Sequence, residues 1–261
     1  MADQTNRHRA KKSLGQNFLK DPNICRKIAD SLAPGADDLV IEIGPGQGAL
    51  TEHLVEAVTG RLMVIEKDDS LADALAARWP SIEVMQADAT RFPWESLNDN
   101  GPCRIIGNLP YNVGSKLIWD IVSRVTTLER AVFMVQHEVA LRLTAEPSTK
   151  AYGGLTAWVR NFCRTTYLFK VPPTVFRPQP KVDSAVVRFD PLPPGERPED
   201  PEALARLIKL LFQQRRKQIS TILKKHWSDH VQSWFDEKGI KTGLRPENLT
   251  PEQFRSLSQR V

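Results

Sequence analysis

From Leu39 onward, short apolar runs alternate with amphipathic stretches. The runs are LVIEI (39–43), RLMVIE (61–66), IEVMQ (82–86), CRIIGN (103–108) and AVFMVQ (131–136), all β-branched or aliphatic in character. Between them, LTEHLVEAV (50–58) and SKLIWDIVSRV (115–125) repeat apolar positions at helical spacing. Strand, helix, strand at this interval predicts an α/β fold, a Rossmann-like parallel sheet with helices on both faces, because parallel strands need a long crossover that a helix supplies. After Tyr152 the rhythm changes: TTYLFKV (165–171) and SAVVRFDP (184–191) flank a Pro-rich loop and read as an antiparallel pair closing the sheet edge. LPPGERPEDP (192–201) places four prolines in ten residues and marks a boundary, so the expected domains are 1–191 and 192–261. Beyond it, EALARLIKLLFQQRRKQISTIL (202–223) and VQSWFDEKG (231–239) are amphipathic and predict a small all-helical domain.

Composition narrows the class. The 261 residues are 41% hydrophobic and 26% charged, which excludes wholesale disorder. No apolar run approaches the roughly 18 residues of a membrane span, and the polar, basic start MADQTNRHRAKK is unlike a secretory signal. A cytoplasmic protein with no membrane partner is the expectation. Cys25, Cys103 and Cys163 stand singly with no CxxC pair, which excludes a disulfide framework and a zinc ribbon and leaves reduced thiols in the core. The net charge of +5 is uneven: residues 1–31 hold 7 basic and 3 acidic groups, 201–261 hold 12 and 6, and 32–200 hold 17 and 22. An acidic centre between basic ends suits a small-molecule site flanked by surfaces that meet a polyanion, although charge alone fits solvated helices equally well.

The chemistry begins at EIGPGQGAL. Gly44, Gly46 and Gly48 remove side chains where the backbone turns sharply toward a ligand, a pattern that by itself leaves NAD and other nucleoside cofactors open. Glu66 ends the second strand and can accept from both hydroxyls of a ribose; Asp88, followed by Ala89, ends the third and can accept from an adenine amino group. Either acid alone is equally explained by helix capping, but a Gly loop and two acids at three consecutive strand ends describe one crevice. Glu42, inside an apolar run, makes a poor core residue because an unpaired carboxylate resists burial; it suits an amino group of the ligand. In GNLPYN, Asn108 offers an amide oxygen and Leu109 a carbonyl to hold the hydrogens of an exocyclic amine. Pro110 stiffens the chain, and Tyr111 supplies a ring to stack on the base.

These segments identify a family. KKSLGQNFL (11–19), EIGPGQGALTE (42–52), VIEKD (64–68), QADAT (86–90), GNLPYN (107–112), VPPTVFRPQPKVDSAVVR (171–188) and FQQRRKQI (212–219) together resemble the KsgA/RsmA ribosomal RNA adenine dimethyltransferases nearly end to end. The resemblance implies a class I S-adenosylmethionine-dependent methyltransferase fold and S-adenosylmethionine as cofactor. Asn17 and Leu19, with Gln16 nearby, and Gly44 would meet its methionine end, Glu66 its ribose and Asp88 its adenine. Asn108 would lie between cofactor and target base, with Phe176 closing on that base opposite Tyr111. It further implies transfer of two methyls to each of two adjacent adenosines in the hairpin loop near the 3′ end of 16S rRNA, within an immature 30S subunit, by a monomer that needs no metal and no strong general base. Arg7, Arg9, Lys11, Lys12, Lys116, Arg215, Arg216 and Lys217 would meet RNA.

The chain departs from the usual pattern after NLPYN, reading VGSKL, where Gly114 and Lys116 change the rim near the target base. It also carries His137, expected as structural or RNA-facing, and Gly154. Three rivals remain. Large-subunit methyltransferases of antibiotic resistance share QNFL and an NLPY-like motif but are disfavoured by KVDSAVV and FQQRRK. NLPY also disfavours an NAD oxidoreductase, and an assembly factor acting by binding is compatible with catalysis.

Overall fold

The computed structural model describes residues 16–261. Its strands are β1 (Phe18–Leu19), β2 (Leu39–Ile43), β3 (Arg61–Glu66), β4 (Glu83–Gln86), β5 (Cys103–Asn108), β6 (Leu128–Gln136), β7 (Cys163–Val171), β8 (Phe176–Arg177) and β9 (Ser184–Pro191). Seven form one sheet in the order β4-β3-β2-β5-β6-β9-β7, parallel from β4 through β6 and antiparallel where β9 joins β6. All five residues of β2 are buried, as expected of a central strand covered on both faces. The strand sequence runs outward from β2 in opposite directions, to β3 and β4 on one side and to β5 and β6 on the other. The crevice of such a sheet opens at the carboxyl ends of the strands flanking that reversal.

Local chemistry sets the helix that follows the N-terminal segment. Asp21 caps Pro22–Leu32 by accepting from the N–H groups of Asn23 and Ile24, and Pro22 occupies a first-turn position that needs no donor. The helix ends at Ala33 in the left-handed region, φ 47°. Cys25, Ile28, Ala29 and Leu32 are its buried face. All three cysteines are free and buried.

The chain forms two compact units: the described residues up to Ala140 with Tyr167–Phe189, and Leu141–Thr166 with Asp190–Val261. The proline-rich stretch lies close to the last of these divisions, but a single cut at 191/192 does not describe the grouping. Residues 141–166 join the tail because Gly154–Val159 packs on Pro201–Gln213, which also packs on Pro251–Ser258, with the Phe212 and Phe254 rings stacked at 5.7 Å.

The long helix expected across 202–223 is broken. It ends at Gln213, and the next begins at Ile219. No Gly or Pro marks the break. The Ile219 and Ser220 N–H groups donate instead to the carbonyls of Leu244 and Thr242, partners more than 20 residues along the chain that helical periodicity does not reveal. Arg215, Arg216 and Lys217 therefore occupy a turn, not a helix face. Among the described residues no helix is long and apolar enough to cross a membrane.

Candidate active site

The glycine loop leaves β2 with Gly44 at φ +63° and Gly46 at φ +58°, a region that side chains disfavour. At Gly46 there is also no room, since a Cβ would lie 2.9 Å from the Phe18 ring. The loop is tied to the neighbouring strand end. Glu66 Oε2 accepts from the Gly46 N–H (3.0 Å), and Oε1 accepts from the N–H groups of Lys67 and Asp68 (2.8 Å each). Three backbone donors satisfy a carboxylate that is only 5% exposed.

Glu42 lies one strand position before Ile43 and is buried. Its Oε2 accepts from Thr51 Oγ1 at 2.6 Å. Burial pushes its pKa up to about 8; the Thr51 hydrogen bond works against that rise and the nearby Glu66 carboxylate adds to it. Asp88 is the opposite case. It accepts from Lys67 Nζ (2.8 Å), from the Thr90 N–H (2.9 Å) and from Thr90 Oγ1 (2.7 Å). The Lys67 hydrogen bond, then that of Thr90, holds its pKa down to about 2.

At the end of β5, Asn108 Nδ2 donates to the Asn17 carbonyl at 2.9 Å. Its acceptor end is therefore Oδ1, the atom an exocyclic amine needs. Leu109 N–H donates to the Met134 carbonyl, and the Pro110 carbonyl accepts from the N–H groups of Val113 and Gly114, so the chain turns tightly through Tyr111. Tyr111 Oη is 2.8 Å from Ser184 Oγ.

Gln16, Asn17, Leu19, Glu42, Gly44, Gly46, Glu66, Asp88, Ala89, Asn108, Leu109, Pro110 and Tyr111 all line one cavity of about 260 Å³. Phe176 is not brought to its wall. The ring is 2% exposed and packs in an apolar cluster with Leu19, Val171 and Val186, where burial outweighs any surface position. What Phe176 contributes is backbone: β8 pairs antiparallel with β1, Leu19 opposite Phe176, and the Lys20 N–H donates to the Val175 carbonyl at 3.0 Å.

The cavity wall also includes Phe18, Lys67, Thr90, Asn112, Val113 and Leu117, which sequence reasoning did not single out. Lys67 had a readable signal, a cation directly after Glu66 and one strand away from Asp88. Phe18 had only its place between Asn17 and Leu19.

Of the residues expected to meet RNA, Arg7, Arg9, Lys11 and Lys12 lie outside the described residues. Lys116 donates to Asp120 (2.6 Å) and to the Thr90 carbonyl (3.0 Å), so it braces the loop after Asp88. Arg215 is held by Glu247 (3.2 Å) and the Lys150 carbonyl (3.0 Å). His137 donates its backbone N–H to the Asp183 carbonyl, and its ring lies edge-on to Tyr167 at 6.0 Å.

Known proteins resemble this chain in sequence and in fold. The family model described as ribosomal RNA adenine dimethylase matches residues 7–261. A ribosomal RNA small subunit methyltransferase A from Maridesulfovibrio salexigens is 54% identical over 255 residues, covering 98% of this chain and 97% of its own. Among solved structures, a dimethyladenosine transferase from Plasmodium falciparum superposes with TM-score 0.77 at 25% identity, covering 92% of this chain and 95% of its own. The 23S rRNA methyltransferase ErmE does so with TM-score 0.71 at 27% identity, covering 94% and 99%. With a family match and a relative at 54% identity that each span nearly the whole sequence, the chain belongs to the ribosomal RNA adenine dimethylase family and is a ribosomal RNA adenine dimethyltransferase.

Proposed function

We propose that the cavity takes S-adenosylmethionine and that the protein dimethylates two adjacent adenosines in the 3′-terminal hairpin loop of 16S rRNA, on immature 30S subunits in the cytoplasm, as a monomer without a metal. The residues fit the cofactor. The glycine loop leaves Gly44 open, with nothing within 4 Å of where its Cβ would stand, and Glu66 and Asp88 bring acceptors to the nucleoside end. Gln16, Asn17 and Leu19 would enclose the methionine end beside Glu42, where a bound ammonium would draw the buried carboxyl back toward its ionised form. When bound, the cofactor supplies a methyl already activated on its sulfonium.

The chain's own task is then alignment. The observation that carries this reading is the Asn108 amide, turned by its bond to Asn17 so that Oδ1 is the acceptor at the cavity wall. Asn108 Oδ1 and the Leu109 carbonyl would hold the amine hydrogens, leaving its lone pair to point along the reaction axis. Tyr111 would stack on the base and fix its plane. A loop base is unstacked at little cost, which favours a hairpin target over a duplex. Arg216 and Lys217, in the turn before Ile219, are left to meet phosphates once Arg215 is engaged by Glu247.

Small-subunit RNA is favoured because the curated relatives that match nearly the full chain, at 40% to 54% identity, are named ribosomal RNA small subunit methyltransferase A. The deciding experiment is transfer of labelled methyl from S-adenosylmethionine to undermethylated small subunits, with large subunits and DNA in parallel, followed by nucleoside analysis. Dimethyladenosine in small-subunit RNA alone is expected. Label in large subunits would move the target to the other particle, and tight particle binding with no label would leave an assembly role.

A further inference from the structure

Ser184 opens β9, and the pairing of β9 with β6 sets it opposite Gln136 at the carboxyl edge of the sheet, with β6 between it and the strand that delivers Asn108. Its side chain is 0% exposed, and its Oγ lies 2.8 Å from Tyr111 Oη across 73 residues of sequence. A buried hydroxyl is costly without a partner, and each of these supplies the other's. Burial raises the Tyr111 pKa despite that bond, so the phenol stays neutral through the physiological range.

We propose that Ser184 is a positioning residue for methyl transfer, a tether that fixes the outer end of the Tyr111 ring so that the target adenine stacks in one place. This rests on the reading in which Tyr111 stacks on that base. The geometry supports it from both ends of the ring. At the backbone end, the turn closed by the Pro110 carbonyl holds the Tyr111 Cα. At the hydroxyl end, Ser184 is anchored by a strand inside the sheet. Two fixed ends define the long axis of the ring, and removing one lets the ring swing about the other.

The reaction makes this tether matter unequally for its two transfers. The first exchanges one hydrogen of the amine for methyl, with the displaced hydrogen leaving as a proton. The second must repeat that exchange on a bulkier amine with a single N–H left to direct it. A base displaced by a fraction of an ångström therefore fails the second alignment more often than the first. RNA affinity, set by phosphate contacts elsewhere, is indifferent to the tether.

The test compares Ser184→Ala, Tyr111→Phe, their combination and Tyr111→Ala on undermethylated small subunits, reading kcat, KM for the particle and the ratio of monomethyl- to dimethyladenosine. Ser184→Ala and Tyr111→Phe are each expected to lower kcat on the order of tenfold, to leave KM within about twofold, and to enrich the monomethyl product. The double variant is expected to be no worse than either, because both remove the same bond. It also leaves no orphaned hydroxyl, so it remains informative if Ser184→Ala folds poorly. Additive losses, or an unchanged product ratio in the double variant, overturn the tether. Full activity in Tyr111→Ala would instead overturn the stacking role of Tyr111, a separate failure.

Discussion

At the nucleoside end of the cavity, Glu66 draws its donors from Gly46, Lys67 and Asp68, none more than 20 residues away, and Asp88 draws its own from Thr90 and from Lys67, 21 residues back. At the target end, Asn108 is turned by Asn17 across 91 residues, and Tyr111 is held by Ser184 across 73. The first half is assembled from adjacent strand ends and the loops between them. The second depends on segments that meet only when the whole sheet and the β1–β8 ladder are in register. Closing longer loops costs more entropy for each bond gained. The two acids are thus each held by several bonds, whereas the Asn108 amide and the Tyr111 hydroxyl are each oriented by one long-range bond.

That contrast can be broken by substitution. The largest effect is expected at Asn108→Ala, which removes both the amine acceptor and the bond to Asn17. Methyl transfer should fall by about 10²–10³-fold or more, while particle binding, measured by sedimentation, persists. Loss of particle binding as well would mean that catalysis and docking share this residue.

Next comes Glu66→Gln, which places an amide N–H₂ among three backbone donors. A charge-assisted set of bonds is lost, and S-adenosylmethionine affinity by calorimetry should drop roughly 10- to 100-fold. An unchanged affinity would show that the nucleoside end does not depend on Glu66.

A smaller, pH-dependent effect is expected from Glu42. Its pKa is about 8 in the folded chain against an ordinary 4.5. The folded state therefore keeps a proton that the unfolded state gives up. The contribution is complete below about 4.5 and is lost as pH rises toward 8. Urea denaturation of the cofactor-free protein should show stability falling across that window, and Glu42→Gln should flatten the fall. Identical slopes in both proteins would place the titration elsewhere.

The smallest effect is expected at Lys67→Met. The Lys67 side chain is 55% exposed, so its ion pair with Asp88 contributes no more than about 1 kcal/mol. Cofactor affinity at neutral pH should change by no more than about fivefold. The Asp88 pKa, followed by carboxyl NMR, should rise from about 2 toward its ordinary 3.8. The stabilisation that the depressed pKa provides is present above 3.8 and disappears as pH falls through 2, so the variant should lose acid tolerance first. A larger loss at neutral pH would mark Lys67 as a direct ligand group.

The nucleoside end was the more legible half in residue chemistry alone. A glycine loop after one strand and acids ending the next two announce themselves by spacing, since each is fixed by its own strand and the turn that follows. Asn108 and Tyr111 were readable as groups suited to a planar amine. Their partners were not. Nothing in the neighbourhood of Asn17 or Ser184 says that a backbone carbonyl will orient an amide or a serine will hold a phenol. Phe176 was read as an aromatic for the target base, and packing instead placed its ring in the core.

By itself, the sequence determined the parallel sheet, its helices and its edge at the Pro-rich loop, because hydrophobic period and turn chemistry act over a few residues. The tertiary structure decided what those periods cannot encode. It grouped Leu141–Thr166 with the tail, broke the helix before Arg215 and drew that arginine to Glu247. It also paired Leu19 with Phe176 and Tyr111 with Ser184. Each of these is a contact between distant segments, whose favourable energy exists only after the chain has closed the loop between them.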